Sequence, residues 1–333
     1  MKRVLVTGAT SGLGRNAVEY LLKTGIPVRA TGRNAAVGAE LAAAGAQFVA
    51  LDLATAGAPE LLELVSGCDT VWHCAALSSP WGSLADFEAA NVTATIELAK
   101  AALVARATRF VHVSTPALYF DFKHRLGIRE DFVPKRYVNH YAATKARAEA
   151  ELRELTNRHG TLHTTILRPR AIFGPHDRVL LPRLLRLVAE REGSLVLPRA
   201  GKTVLDLTYV DNVVRAMHFA SVSHRHESGE AFNVTNGEPV EIGATLRELF
   251  HHLKRPLTLR GAPAPLLALA GQGAELLGHL TGKEPAVTRY SLGALTYDMT
   301  LDIRKAGQQL CYAPVVPMET ALQRTAAWLK SNP

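Results

Sequence analysis

Short β-branched and aliphatic runs alternate with stretches of helical periodicity through the first half of the chain. That alternation predicts a parallel sheet with helices on both faces, a doubly wound α/β fold. Strands are expected at Arg3–Thr7, Val28–Thr31, Gln47–Ala50, Thr70–Cys74, Arg109–Ser114 and Thr164–Arg168. Helices are expected at Leu13–Leu22, Ala36–Ala43, Pro59–Val65, Phe87–Ala105 and Tyr141–His159. Beyond Arg168 the alternation loosens, and prolines from Pro169 to Pro317 break it repeatedly. This half is expected to cap the carboxyl edge of the sheet and shape a substrate site. The expected division is residues 1–168, with 204–235 adding sheet elements, against a smaller capping region of 169–203 and 236–333.

The first strand runs into Thr7-Gly8-Ala9-Thr10-Ser11-Gly12-Leu13-Gly14, a G-x-x-x-G-x-G pattern between strand and helix. Gly8 permits the tight turn, Gly12 lets backbone approach a pyrophosphate, and Gly14 lets the helix pack on the strand. The phosphate then sits on helix-terminal N–H groups, the arrangement of a Rossmann dinucleotide site. Thr7, Thr10, Ser11 and Leu13 complete the candidate cradle. At the end of the second strand, Val28-Arg29-Ala30-Thr31-Gly32-Arg33-Asn34 carries no acid to bind a ribose 2′-hydroxyl. Arg33 suits a 2′-phosphate, with Arg15 as a second cation, so NADP(H) is preferred and NAD(H) is the alternative. Asp52-Leu53, after the third strand, falls near the adenine; a cap or turn role for Asp52 stays open.

Reducing a ketone calls for a donor that protonates the developing alkoxide, and a phenol near its free pKa of about 10 is poorly matched to neutral pH. An ammonium about 4 Å away, at an effective dielectric of about 20, would lower that pKa by about three units. Two Tyr-x-x-x-Lys pairs occur, Tyr119 with Lys123 and Tyr141 with Lys145. Only the second opens a segment rich in helix formers, which puts both side chains on one face. Ser114 and Thr115 end a strand at the crevice edge, and either hydroxyl could bind the carbonyl oxygen.

These residues resemble the extended short-chain dehydrogenase/reductase superfamily across nearly the whole chain. The matching segments are TGATSGLG at 7–14, HCAA at 73–76, ANV at 90–92, VST at 113–115, YAATK at 141–145, LRPRAIFGP at 167–175 and LTYVDNVV at 207–214. SSPWG at 78–82, RPRAIFGPHDRVLLPRLL at 168–185, FNVTNGEPV at 232–240 and LTYDMTLDIRKAGQQLCYAP at 295–314 are similar to the 3β-hydroxysteroid dehydrogenase branch, which includes bacterial 2-alkyl-3-oxoalkanoate reductases. The resemblance implies Thr115, Tyr141 and Lys145 as the catalytic set, and Ala75, Pro169 and Ile172 beside the cofactor. It also implies that Lys145 holds the nicotinamide ribose, that the protein is a homodimer, and that hydride passes between nicotinamide and a secondary alcohol or ketone on an apolar, steroid-like or β-keto acyl substrate. The glycine spacing departs from the extended members' usual TGxxGxxG. Rival readings are a nucleotide-sugar epimerase or dehydratase and a non-catalytic NADP-sensing protein.

Composition narrows this picture. Lys and Arg total 38 against 30 Asp and Glu, a net charge of +8 that favours anionic ligands. No basic run or aromatic platform accompanies it, so nucleic acid is not an expected partner. Cys68, Cys74 and Cys311 form no C-x-x-C, and MKRVLVTGAT lacks a signal-peptide core, which points to the cytoplasm. His224, His226, His251 and His252 have no carboxylate or cysteine at ligand spacing, and no metal is expected. Residues 263–282 are apolar but interrupted by Gln272, Glu275 and His279, so no transmembrane helix is expected; a lid, a membrane-surface helix and a core helix stay open. Trp81 either lines an apolar substrate site or packs locally, and Asn91 either bonds backbone or relays a proton.

Overall fold

The computed structural model describes every residue except 179, 283, 286 and 333, and the side chains of 264 and 279 also lie outside the description. The first strand, Val4–Thr7 (β1), is buried at every position because helices cover both faces of its sheet. Val4 and Val6 join one core layer with Val18, Trp72 and Val213, while Leu5 joins the other with Val71, Leu98 and Ile166. That is the alternation of a pleated strand.

Gly12–Lys23 (α1) leads to Val28–Gly32 (β2), Ala35–Ala43 (α2), Gln47–Ala50 (β3), Ala58–Val65 (α3) and Thr70–His73 (β4). Next come Leu84–Phe87 (α4), a π-helical stretch at Glu88–Thr93, Ala94–Val104 (α5) and Arg109–Val113 (β5). The expected continuous helix Phe87–Ala105 therefore starts earlier, capped by Ser83 on the Asp86 N–H, and carries a π stretch. Asn91 lies in that stretch, where a wider turn changes the phase at which side chains leave the helix.

Arg125–Ile128 (β6), His140–His159 (α6), His163–Pro169 (β7), Ile172–Phe173 (β8) and Leu181–Ala189 (α7) follow. The remaining chain forms Ser194–Pro198 (β9), Val204–Leu205 (β10), Thr208–Tyr209 (β11), Val210–Val222 (α8), Glu230–Val234 (β12), Val240–Glu241 (β13) and Ile242–Leu253 (α9). It ends with Thr258–Ala262 (β14), Ala264–Thr281 (α10), Arg289–Ala294 (α11), Met299–Leu301 (β15), Arg304–Leu310 (α12) and Met318–Ser331 (α13).

The main sheet has seven strands in the order β12-β7-β5-β4-β1-β2-β3, all paired parallel. Chain direction across the sheet reverses between β1 and β4, so their carboxyl ends open the crevice where such sheets take ligands. Within 204–235 only β12 joins this sheet. β10 lies in a four-stranded sheet with β13, β15 and β6, so residues 125–128 reach across to residues 299–301.

Residues 264–281 form a helix, but Leu266, Leu269, Leu276, Leu277 and Leu280 are each at least 60% exposed, which rules out a core helix. Among the described residues no helix is long and apolar enough to cross a membrane.

Candidate active site

The crevice begins at the turn after β1. Gly8 sits at φ +64°, and a Cβ on Gly14 would stand 2.2 Å from the Gly8 carbonyl oxygen, so α1 packs against the turn through bare backbone. The Gly12 N–H donates to the His176 carbonyl at 3.1 Å. The next amides, of Leu13 and Gly14, lie in the first helical turn, where no intrahelical acceptor exists. Thr10 is buried against Gly32, and Ser11 stands exposed before the helix with no side-chain capping bond. A turn that only glycine can close, beneath open helix-terminal amides, fits a pyrophosphate.

Across the switch point, Thr7 Oγ1 accepts the Ala75 N–H at 3.1 Å and bonds His73 Nδ1 at 2.8 Å. His73 Nε2 meets Thr95 Oγ1 at 2.9 Å, and Thr95 donates to the Asn91 carbonyl at 2.7 Å. Burial and the neighbouring Lys145 charge push the His73 pKa down to about 3, so the ring is neutral and serves as a fixed brace between β1, β4 and the π stretch.

Just beyond β2, Arg33 is 78% exposed, 3.6 Å from Asp52. Arg15, expected as a second cation, is held instead by Glu19 at 3.1 Å and Glu40 at 2.8 Å, which neutralise it. Asp52 accepts the Ala54 N–H at 3.1 Å in a turn, and Leu53 is buried in the core. Pro169 ends β7, and Ile172, in β8, packs against the Val4–Val6 core layer and against a second cluster around Phe173, Tyr209 and Leu322.

Asn139 caps α6 by accepting the Ala142 N–H at 2.8 Å, which sets Tyr141 in the first turn and Lys145 one turn later. The Tyr141 phenol hydrogen-bonds with Ser78 and Thr115, which lowers its pKa, but burial outweighs them and holds it above the ordinary value. The expected lowering by Lys145 is not found. The ammonium is drawn to β5, donating to the Val113 carbonyl at 2.7 Å and to His112 Nε2 at 3.0 Å. Burial brings the Lys145 pKa down to about 8, against the raising pull of Glu149 and Cys74.

Ser114 donates to Glu149 Oε1 at 2.6 Å, facing the buried Glu149–Arg168 ion pair, while Thr115 caps the following turn through the Ala117 N–H at 3.1 Å. Of the two adjacent hydroxyls, Thr115 is the one at the phenol. Tyr119 sits in a 3-10 turn at Pro116–Tyr119 and bonds Asn233 Oδ1 at 2.9 Å and Arg168, whereas Lys123 is exposed. That pair shares no helix.

Asn91 accepts the Leu77 N–H at 2.8 Å and donates to the Leu77 carbonyl at 3.2 Å and to Thr144 at 3.3 Å, clamping the loop after β4 to α6. In that loop Ser79 bonds the backbone N–H and carbonyl of Trp81.

Comparison with known proteins decides the lineage. Residues 4–235 match the model of the "NAD dependent epimerase/dehydratase family". The chain belongs to the NAD-dependent epimerase/dehydratase family. Members similar to it include the uncharacterized protein YbjS of Escherichia coli (strain K12), 42% identical over 99% of this chain and 98% of that one. A 4-hydroxy-2-methyl-3-oxo-4-farnesyl-3,4-dihydroquinoline-1-oxide ketoreductase of Stigmatella aurantiaca is 33% identical over 96% of this chain and 94% of its own. A 2-alkyl-3-oxoalkanoate reductase of Stenotrophomonas maltophilia (strain K279a) is 32% identical over 98% of both. A crystal structure of UDP-glucuronic acid 4-epimerase from Bacillus cereus in complex with NAD superposes with a TM-score of 0.78 at 21% identity, over 99% of this chain and 96% of that one, which shows the shared fold. This family member is an NAD(P)-dependent oxidoreductase of the extended short-chain type, with reductases and 3β-hydroxysteroid dehydrogenases among its relatives.

Three residues of the site carried no sequence signal as site residues. Ser78 reaches Tyr141 from the loop after β4, His112 meets Lys145 from inside β5, and Arg170 follows β7. Ser78 lies in SSPWG and Arg170 in LRPRAIFGP, and there both marked the lineage rather than a role.

Proposed function

We propose that the protein interconverts a ketone and a secondary alcohol on an apolar substrate, steroid-like or β-keto acyl, with NADP(H) preferred to NAD(H). The observation that carries this reading is the Tyr141 phenol, hydrogen-bonded with Ser78 and Thr115 at the carboxyl edge of β5. Bound in the cradle, the dinucleotide would supply or accept the hydride. Thr7, Gly8, Thr10, Ser11, Gly12, Leu13, Gly14, Ala75, Pro169 and Ile172 would hold it, with Arg33 toward a 2′-phosphate.

Thr115 and Ser78 orient the substrate oxygen, and the Tyr141 hydroxyl passes it a proton. An ammonium has three N–H donors. Val113 and His112 take two on Lys145, and the third is assigned to the nicotinamide ribose. Phe120, Phe122, Tyr290 and Tyr297 pack together, starting five residues after Thr115, and are assigned as an apolar wall, with Trp81 assigned to the same pocket. The 3-oxo substrates in the relatives' names suit that wall.

In this reading residues 1–168 and β12 carry the cofactor, residues 169–203 and 236–333 enclose the substrate, and the enzyme is a cytoplasmic homodimer built through helices of the cofactor unit. Light scattering on the purified protein measures the dimer. NADPH oxidation with a panel of 2-alkyl-3-oxoalkanoates, oxosteroids and UDP-sugars tests the chemistry. Consumption with a ketone, lowered about 10²- to 10⁴-fold by Tyr141→Phe, supports it; conversion of a UDP-sugar without NADPH loss overturns it.

A further inference from the structure

Arg170 is a buried cation with no protein anion in contact. Its residue is 7% exposed, its Nε has no hydrogen-bond partner, and no carboxylate among the described residues lies within ion-pairing distance. An arginine stays charged at any physiological pH, so burying it without a contacting anion is costly and persists where a ligand completes it.

Its position is at the reaction crevice. β5 and β7 pair with Val113 beside Leu167, and the Ser114 N–H donates to the Leu167 carbonyl at 2.7 Å. Thr115 and Arg170 therefore leave adjacent parallel strands at the same carboxyl edge. The Arg170 backbone is pinned on both sides, by its N–H on the Val234 carbonyl at 3.1 Å and by Thr208 on its own carbonyl. The next residue, Ala171, sits at φ +44°, a left-handed conformation unfavourable to alanine and retained where the surroundings impose it.

Tyr290, from α11, packs edge-on to Phe120 at 5.5 Å and lies within electrostatic reach of both the Arg170 guanidinium and the Tyr141 phenol. Asp206 also feels the guanidinium, but its Oδ2 is committed to the Leu301 N–H at 2.6 Å.

We propose that Arg170 is the anion receptor of the substrate pocket, so that the substrate presents a carboxylate close to the carbonyl held by Thr115 and Tyr141. The inference rests on the reductase reading and narrows it to 3-oxo acids in their free form, with their chains along the Phe120–Tyr290 wall. A planar guanidinium pairs a carboxylate in two parallel hydrogen bonds, and an ester cannot supply the charge.

The test is calorimetric binding of 3-hydroxydecanoate, its methyl ester and UDP to the protein saturated with NADPH, where no hydride can be transferred from the alcohol, for the wild type, Arg170→Met and Arg170→Lys. The acid should bind the wild type about tenfold to a hundredfold more tightly than the ester. Arg170→Met should bring that ratio near one with ester affinity kept, and Arg170→Lys should restore part of it. A wild-type ratio near one overturns the assignment without any variant. So does equal loss of acid and ester, or tight UDP binding that Arg170→Met abolishes. NADPH oxidation with methyl 3-oxodecanoate reports on the reductase reading separately: turnover of the ester sustains that reading whatever Arg170 does, and its absence with acid and ester alike counts against the reading while the binding ratio still decides Arg170.

Discussion

Ser114 and Thr115 are neighbours with opposite fates, because successive side chains on an extended backbone point to opposite sides. Ser114 is bound to Glu149, itself paired with Arg168 and with Arg153 at 3.0 Å; Thr115 faces the phenol. Thr115→Val is expected to lower kcat by about 10²- to 10³-fold and, by removing the acceptor of the Ala117 N–H, to cost about 0.5–2 kcal/mol of stability, whereas Thr115→Ser keeps that cap and recovers most of both. Ser114→Ala should cost stability by about 1.5–3 kcal/mol, through loss of a charge-assisted hydrogen bond to Glu149 Oε1, which keeps the Arg168 Nε–H at 2.9 Å, while sparing kcat. Parallel kinetics and thermal melts separate the two.

Lys145 makes a second prediction at this scale. Its charged form is the protonated one, so raising pH through about 8 removes the ammonium from the cofactor-free enzyme. The kcat/KM for NADPH, which reports free-enzyme groups, should therefore fall above about pH 8, and Lys145→Arg should keep the limb flat to higher pH. Since the unfolded lysine still holds its proton between about 8 and 10.5, this residue's contribution to stability rises with pH across that window. A profile that stays level in the wild type to pH 10 contradicts this.

At the scale of elements, what was legible in the sequence follows the range of the interactions involved. The glycine turn, β1 and the Tyr141 helix are encoded within a few residues, through the G-x-x-x-G-x-G spacing, the Asn139 cap and alternating burial, so local patterns revealed them. The π stretch was not legible: its Asn91 is fixed by Leu77, 14 residues back, and by Thr144, 53 residues on. Strand β6 is equally opaque, four residues whose partner lies at Met299–Leu301. Arg170 and Ser78 reach the site only because β7 and the loop after β4 end at one sheet edge. Gly14→Ala tests the local part. With a Cβ 2.2 Å from the Gly8 oxygen, α1 must shift, and the variant is expected to lose about 1–3 kcal/mol of stability and to bind NADPH weakly even where it folds. Unchanged melting and cofactor affinity would show that the turn does not need bare backbone.

For the whole molecule, the seven-stranded sheet carries the turn, Thr115 and Arg170 at its carboxyl edge, and α11 brings Tyr290 edge-on against Phe120, five residues after Thr115. Apolar wall, phenol and guanidinium thus come from segments about 170 residues apart in sequence, which is why the substrate class could not be read from any motif. The net charge of +8 favours anionic ligands, and Arg33, just beyond β2, is an exposed cation. Arg33→Asp should therefore weaken NADPH more than NADH, measured by the ratio of their kcat/KM values. An unchanged ratio removes Arg33 from cofactor choice.

The central claim is net hydride exchange with a ketone under proton transfer from Tyr141. Incubation of a 2-alkyl-3-oxoalkanoate with 4,4-dideuterated NADPH, followed by mass spectrometry of the alcohol, tests it most directly. The account predicts one deuterium on the carbinol carbon, one NADPH consumed per alcohol formed, and almost none of this product from Tyr141→Phe. Alcohol without deuterium, or undiminished yield from Tyr141→Phe, would contradict it.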